Sequence, residues 1–377
     1  MSGIRRTPSR WGRSGGKRAV RAPAHSVPPE EMSVMSRLLS DLGVELPVLA
    51  APMAGGGSSS ELVVAAAHAG SMGFVAAGYK SAALLAEQMR TVREQDALLG
   101  VNVFAPNPVP VSVDAYSRYA RTVQAEADRY GLSLSDSPPK EDDDDWAAKI
   151  DLLVGSPVPW VSFTFGIPDS TVVRALRRVG TTVLQSVTTA EEARLAAETG
   201  ADALIVQGPA AGGHSATLTP DRPLVPVSLP DLVAHVRSQV SLPLVAAGGV
   251  GTPADVAAAL HAGAEATMVG TLLLRTDESG ASAPHQRALA DPAFDTTVLT
   301  RAFTGRPARG LRNRFTERYE ASAPSGYPAV HHLTAPLRRA AAAAGDQQLM
   351  HLWAGTAYRR AAREPAARTL RRLTEAL

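Results

Sequence analysis

The sequence predicts an α/β fold: a parallel eight-stranded (β/α)8 TIM barrel with a C-terminal helical cap. Three observations predict it. Eight short apolar runs alternate with helical stretches, an order that specifies parallel strands joined by right-handed crossovers. Nearly every run ends in glycine, an amide or a hydroxyl residue, whereas an open doubly wound sheet gathers such ends at one switch point. The 377 residues, 45% of them apolar, are enough for one large core and a cap.

The first run, 47–53 (PVLAAPM), leads into three glycines. Ser58, with Glu61 three residues on, then reads as a capping box for a helix to about residue 69. The second run is 72–78 (MGFVAAG), followed by a helix starting at Ser81. The third, 98–104 (LLGVNVF), carries Asn102 near its end and precedes a proline-rich loop and a helix over about 114–130. The acidic run 141–145 breaks the rhythm and is expected to favour the N-terminus of a helix beginning near Trp146. Runs four and five are 160–166 (WVSFTFG) and 181–187 (TTVLQSV); Thr189 and Glu192 then read as a second capping box. Run six is 203–208, and its loop ends in Gly212, Gly213 and His214. After a helix over about 230–240, run seven is 243–249 (PLVAAGG). Thr252 and Pro253 open the next helix as N-cap and first turn, and run eight is 266–270 (ATMVG).

The expected organisation is a basic, disordered extension over 1–35, the barrel over 36–330, and a segment over 331–377 packing on it. Residues 1–29 hold seven Lys/Arg and no acid, so the formal charge of +2 belongs to the tail and residues 30–377 carry −5. The body therefore offers no nucleic-acid surface. No run approaches the length of a membrane span, and no apolar region follows the basic start as a secretory signal requires. A cytoplasmic protein without nucleic-acid or membrane partners is the expectation. The chain has no cysteine, which excludes disulfides, thiolate metal sites and a cysteine nucleophile; no metal site is expected.

On a barrel, the C-terminal strand ends share one face, and that face holds the active site. It would present Met53 and Gly55, Asn102, Phe165 and Gly166, Gln185 and Ser186, then Gln207, Gly212, Gly213 and His214. Gly248, Gly249, Gly270 and Thr271 follow from the last two strands. Exposed backbone N–H groups there, with a hydroxyl and helix dipoles, suit a phosphate dianion. Asn102, Gln185 and Gln207 can donate and accept at once, as the pyrimidine edge of an isoalloxazine or similar heterocycle needs. Buried amides that merely tie loops together explain them equally well. His68, His235 and His261 fall on helices away from this face, while His331 and His332 lie near the cap.

The stretches APMAGG (51–56), GVNVF (100–104), QGPAAGGH (207–214), PLVAAGG (243–249) and MVGT (268–271), with LTAPL (333–337) and LWAG (352–355), occur in this order. In them the chain resembles the nitronate monooxygenases, formerly called 2-nitropropane dioxygenases. The resemblance implies an FMN-dependent barrel enzyme that converts alkyl nitronates, such as propionate 3-nitronate, with O2 to a carbonyl compound and nitrite. It implies FMN contacts at Asn102, Gln207, Gly212, Gly249, Met268, Val269, Gly270 and Thr271, Met53 against the ring, and His214 as the catalytic residue. A small nitronate or nitroalkane and O2 are then the partners, and a homodimer is left open. Ala210 stands where the family has Glu, and Thr356 where it has Gln; both are expected to alter the edge of the substrate pocket. Two alternatives stay open: a flavin-dependent enoyl-thioester reductase using NAD(P)H, and a non-catalytic FMN-binding protein. The related purine-nucleotide dehydrogenases are excluded, because they attack with a cysteine.

Overall fold

The computed structural model describes residues 37–134, 138–375 and 377; the extension expected over 1–35 lies outside the described residues. The strands are β1 (Val48–Ala50), β2 (Gly73–Ala76), β3 (Leu99–Ala105), β4 (Trp160–Phe165), β5 (Thr182–Val187) and β6 (Ala203–Gln207). A two-residue strand β7 (Gly213–His214) precedes β8 (Leu244–Ala247) and β9 (Ala266–Val269). All but β7 pair in parallel in the order β1-β2-β3-β4-β5-β6-β8-β9, and β9 returns to β1 to close the barrel. The predicted fold class is the observed one. Most strands are shorter than the apolar runs that announced them: in β1, β2, β4, β6, β8 and β9 the last residues of the run leave the ladder, whereas β3 and β5 run on to Ala105 and Val187.

The barrel is filled rather than hollow. Phe74 and Trp160 meet inside it with ring centroids 6.2 Å apart, packed with Leu49, Leu184, Ile205 and Val245. Burying a side chain such as Phe74 contributes about 2–3 kcal/mol. Gly100 on β3 makes the room: a Cβ there would lie 2.5 Å from the Phe74 ring. Leu39, from the short helix Arg37–Ser40, joins the same cluster and closes the barrel from below.

The helix starts follow the sequence in most cases. Ser81 accepts from the Leu84 N–H, and Thr252 forms a full capping box with Asp255. Three local readings are corrected. The helix Ser60–His68 is capped by Ser59, which accepts from Leu62 N–H; Ser58 turns back instead and accepts from Met53 N–H at 2.8 Å. Thr189 does cap its helix, but the Glu192 carboxylate does not complete the box. It accepts from the Thr188 hydroxyl at 2.8 Å and from Leu218 N–H at 2.7 Å, pinning the loop after β7. The acidic run leaves the helix Trp146–Gly155 without a side-chain cap. Asp145 accepts from Ala82 N–H and Asp144 from Tyr79 N–H, each at 2.8 Å, while Asp144 also pairs with the fully buried Lys149 at 2.8 Å. These acids hold the loop after β2.

Beyond the barrel, β10 (Thr297–Thr300) and β11 (Ala308–Leu311) form an antiparallel sheet with β7. The basic stretch 303–310 therefore contains most of a strand. The helix Ala329–Ala344 packs through Leu333, Leu337 and Ala341 on Tyr119 and Val123 of the helix Val113–Asp128. Among the described residues no helix is long and apolar enough to cross a membrane.

Candidate active site

The C-terminal ends of the barrel strands open into a cavity of about 530 Å³. Met53, Asn102, Gln207, Gly212, His214, Gly249, Met268, Val269, Gly270 and Thr271 all line it, from six different strands or their loops. Gly55, Phe165, Ser186, Gly213 and Gly248 line it as well; Gln185 and Gly166 do not. Gln185 instead donates to the carbonyl of Gly166 at 3.1 Å, and its own side-chain oxygen is buried without a partner among the described residues.

The turn after β8 is built for close approach. Gly248 and Gly249 hold φ of 106° and 82°, conformations that favour glycine. Among the described residues their N–H groups donate to no backbone carbonyl or side chain. The N–H groups of Gly251 and Thr252 are taken by the Asp255 carboxylate at 3.0 and 2.9 Å, so the donors left for an anion here belong to the glycine pair and Val250. Across the cavity rim, the Thr271 hydroxyl oxygen accepts from Gly355 N–H at 2.9 Å, which leaves its proton free to donate.

The amides divide between the two readings. Asn102 donates to Ser162 Oγ at 2.9 Å and Thr164 Oγ1 at 3.0 Å, which orients the group and leaves its carbonyl oxygen without a protein donor among the described residues. The Gln207 side chain is engaged at both ends. It donates to the carbonyl of His214 at 3.3 Å and accepts from Ala216 N–H at 2.8 Å. It therefore ties the loop that carries His214.

His214 is placed by β7 pairing with Ala308 on β11. Its Nε2 lies 2.9 Å from Thr304 Oγ1, and the rings of Phe165, Tyr327 and Trp353 pack around it at centroid distances of 5.6, 5.8 and 5.5 Å. Burial, reinforced by the positive charges of Arg306 and Arg338, pushes its pKa down to about 3. The imidazole is neutral at neutral pH. Arg306 is fully buried with its guanidinium 4.1 Å above the Phe165 ring, and it donates to the carbonyls of Thr217 and Asn107.

Several wall residues escape the strand-end argument. His285, His331, Arg338, His351 and Trp353 come from the segments after β9, and of these histidines and arginines the sequence points only to His331, near the cap. His331 stacks on Tyr79 at 4.2 Å. His332 points away and pairs with Asp142 at 2.9 Å. His68 and His261 contact backbone carbonyls on exposed surface, and His235 sits on the helix Leu229–Arg237. Among the described lining residues there is no Asp or Glu.

The two departures at Ala210 and Thr356 are corrected in place. Neither lines the cavity. Thr356 N–H donates to the Ala210 carbonyl at 3.1 Å, and a Cβ on Gly249 would lie 2.9 Å from Ala210 Cβ and 3.6 Å from Thr356 Oγ1. They stand behind the glycine turn, not at the substrate edge.

The cavity fits FMN on its own features. It has free backbone donors at a left-handed glycine pair, an oriented but unpaired Asn102 oxygen, and apolar walls at Met53, Ile205 and Met268.

Comparison with known proteins agrees. The family model described as nitronate monooxygenase matches residues 36–375. A probable nitronate monooxygenase from Staphylococcus aureus (strain MRSA252) is 33% identical over 337 residues, covering 88% of this chain and 94% of that protein. The crystal structure of a nitroalkane oxidase from Streptomyces ansochromogenes is 46% identical with a TM-score of 0.83, over 89% of this chain and 96% of that one. FabK from Thermotoga maritima, at 24% identity and TM-score 0.69 over 90% and 94% of the two chains, shares the fold. With a closed barrel, a histidine facing a flavin-sized cavity and a family match from residue 36 to 375, the chain belongs to the nitronate monooxygenase family of FMN-dependent oxidoreductases.

Proposed function

We propose that the protein oxidises alkyl nitronates, such as propionate 3-nitronate, with O2 to a carbonyl compound and nitrite. The observation that carries this reading is the charge of the cavity: two arginines line it with no carboxylate among the described residues, and the four histidines beside them are neutral at neutral pH. Such a wall accepts an anion and disfavours a cation.

In this reading Gly248, Gly249, Gly270 and Thr271 would hold the FMN phosphate, and Asn102, Met53 and Met268 would hold its ring. Bound FMN would supply the acceptor for the electron pair and the route to O2. Gln207 keeps the 208–216 loop in register, so its effect on the site passes through His214. His214, neutral at neutral pH, removes the α-proton when a neutral nitroalkane enters. The segment over 331–377 acts as the roof, contributing His331, Arg338, His351 and Trp353.

The test is anaerobic mixing of the FMN-loaded protein with propionate 3-nitronate and, separately, with NADPH. Loss of the oxidised flavin spectrum with the nitronate, and its return with nitrite on admitting air, is the expected result. Reduction by NADPH alone, followed by turnover of an enoyl thioester, would replace this function with a reductase.

A further inference from the structure

We infer that Arg338 selects the substrate by its charge, its guanidinium binding a planar oxyanion group of the incoming molecule from the roof of the cavity. The inference rests on the reading of this cavity as a nitronate site and names the residue that reads the anion.

Arg338 lies on the helix Ala329–Ala344, lines the cavity and is only 6% exposed. A cation so buried normally has a carboxylate partner, because desolvating an unpaired charge is costly. Arg338 has none among the described residues. Its Nε donates to Thr334 Oγ1 at 3.1 Å, and one terminal nitrogen donates to the His331 carbonyl at 2.9 Å and lies 3.3 Å from His331 Nδ1. The Thr334 hydroxyl proton is already given to the Phe303 carbonyl, so that oxygen faces Arg338 as an acceptor. One edge of the guanidinium is thus clamped. The other terminal nitrogen donates to no protein group among the described residues.

The contrast with Arg306 sharpens this. Arg306 is equally buried, but it is stacked on Phe165, donates to backbone carbonyls on both terminal nitrogens and does not line the cavity. Arg306 braces the fold, and its unpartnered Nε belongs to a residue outside the cavity wall, whereas Arg338 keeps a free terminal N–H on a residue that lines it. Burial lowers Arg338 only to about 10, so it stays cationic at neutral pH. The next residue, Arg339, is exposed and also lines the cavity; it extends the positive wall outwards. A rigid planar fork with a free N–H suits a planar oxyanion, and both the nitronate group and a carboxylate on the substrate chain have that shape.

The test uses FMN-loaded wild type, Arg338→Gln and Arg338→Lys. Inorganic nitrate, a planar and unreactive oxyanion, and butyrate are titrated calorimetrically, and KM and kcat are measured with ethyl nitronate, propionate 3-nitronate and nitroethane. Arg338→Gln is expected to weaken nitrate by at least ~tenfold and to raise KM for the nitronates similarly, with KM for neutral nitroethane within twofold. Arg338→Lys keeps the charge but loses the fork, and should recover part of the affinity. A KM effect confined to propionate 3-nitronate, with butyrate weakened, assigns Arg338 to the chain carboxylate; an equal effect on ethyl nitronate assigns it to the nitronate itself. Nitrate affinity and nitronate KM both within twofold of wild type in a folded Arg338→Gln variant would overturn the inference. Should that variant not fold, unchanged nitrate affinity in Arg338→Lys would do the same. Arg338-dependent nitrate binding in a protein that turns over no nitronate would sink the proposed function and leave the anion site standing.

Discussion

His214 Nε2 and Thr304 Oγ1 lie 2.9 Å apart, and this contact joins the loop after β6 to the turn between β10 and β11. The Thr304 hydroxyl donates to the Arg306 carbonyl at 3.2 Å, so towards His214 it is an acceptor. That polarity assigns the imidazole proton to Nε2 and leaves Nδ1 bare. A bare nitrogen is the proton acceptor that abstraction from a neutral nitroalkane requires. Thr304→Val removes the acceptor and frees the tautomer. The expected result is a loss of kcat/KM on the order of tenfold with nitroethane, a smaller loss with ethyl nitronate, and unchanged FMN content. Oxygen-consumption assays with the two substrates check it; equal losses on both would detach the tautomer from proton transfer.

The cavity histidines make the fold acid-sensitive. Burial lowers His214 to about 3 and His285 to about 4, and it lowers His331 and His351 well below the ordinary value. A group whose folded pKa is depressed binds fewer protons folded than unfolded, so its stabilising contribution is complete above about 6.5 and is lost as pH falls towards the folded value. Thermal midpoints should hold between pH 7 and 8 and decline from pH 6.5 to 4. His285 Nε2 lies 3.1 Å from the Trp353 carbonyl, so Gln can keep that donor without titrating. His285→Gln should flatten the acid decline; an unchanged slope would place the sensitivity elsewhere.

Glu265 carries the opposite sign. Burial, partly offset by the charge of Arg237, raises its pKa to about 7, and its Oε2 is buried without a partner among the described residues. A raised carboxyl stabilises the fold at low pH, and that contribution is lost as pH rises from about 4.5 through 7. Glu265→Gln removes the charge and keeps the shape. Its thermal midpoint should equal or trail wild type at pH 5 and exceed it at pH 8. Differential scanning fluorimetry at the two pH values decides the matter, and a variant less stable at pH 8 would contradict it.

What is legible in the sequence follows from how local its cause is. β6 reads plainly because four apolar residues in a row must be covered on both faces, and the Thr252 N-cap because Pro253 follows it at the first turn. β7 is two residues long and pairs with Ala308 and Arg309, nearly a hundred residues on; β11 is Ala-Arg-Gly-Leu, with no alternation to announce it. The Gln207 amide illustrates the same limit within the site. Its position beside the cavity follows from strand order, but its partners, His214 and Ala216, depend on how the loop folds back. Arg338 and His351 reach the cavity only because the roof segment packs there, a contact no strand-end argument contains. Ala210 and Thr356, apart by 146 positions, are neighbours through one backbone hydrogen bond.

That crossing gives two adjacent glycines different reasons to be glycine. A Cβ on Gly212 would lie 2.5 Å from Gly355 N and 2.6 Å from Ala354 C, while one on Gly213 would meet nothing within 4 Å. The neighbours of Gly212 are backbone and have no side chain to move aside. Shifting them would strain the bond from Gly355 N–H to Thr271 Oγ1 and the bond from Thr356 N–H to the Ala210 carbonyl. Gly212→Ala should therefore cost about 2–3 kcal/mol and release FMN, because it displaces the wall that orients Thr271. Gly213, at φ 76°, pays only for its left-handed backbone, so Gly213→Ala should cost about 1 kcal/mol and retain FMN. Urea unfolding and the flavin-to-protein ratio after dialysis test the pair. Equal flavin loss in both variants would mean that Gly212 matters by contact with the cofactor and not by the crossing beneath it.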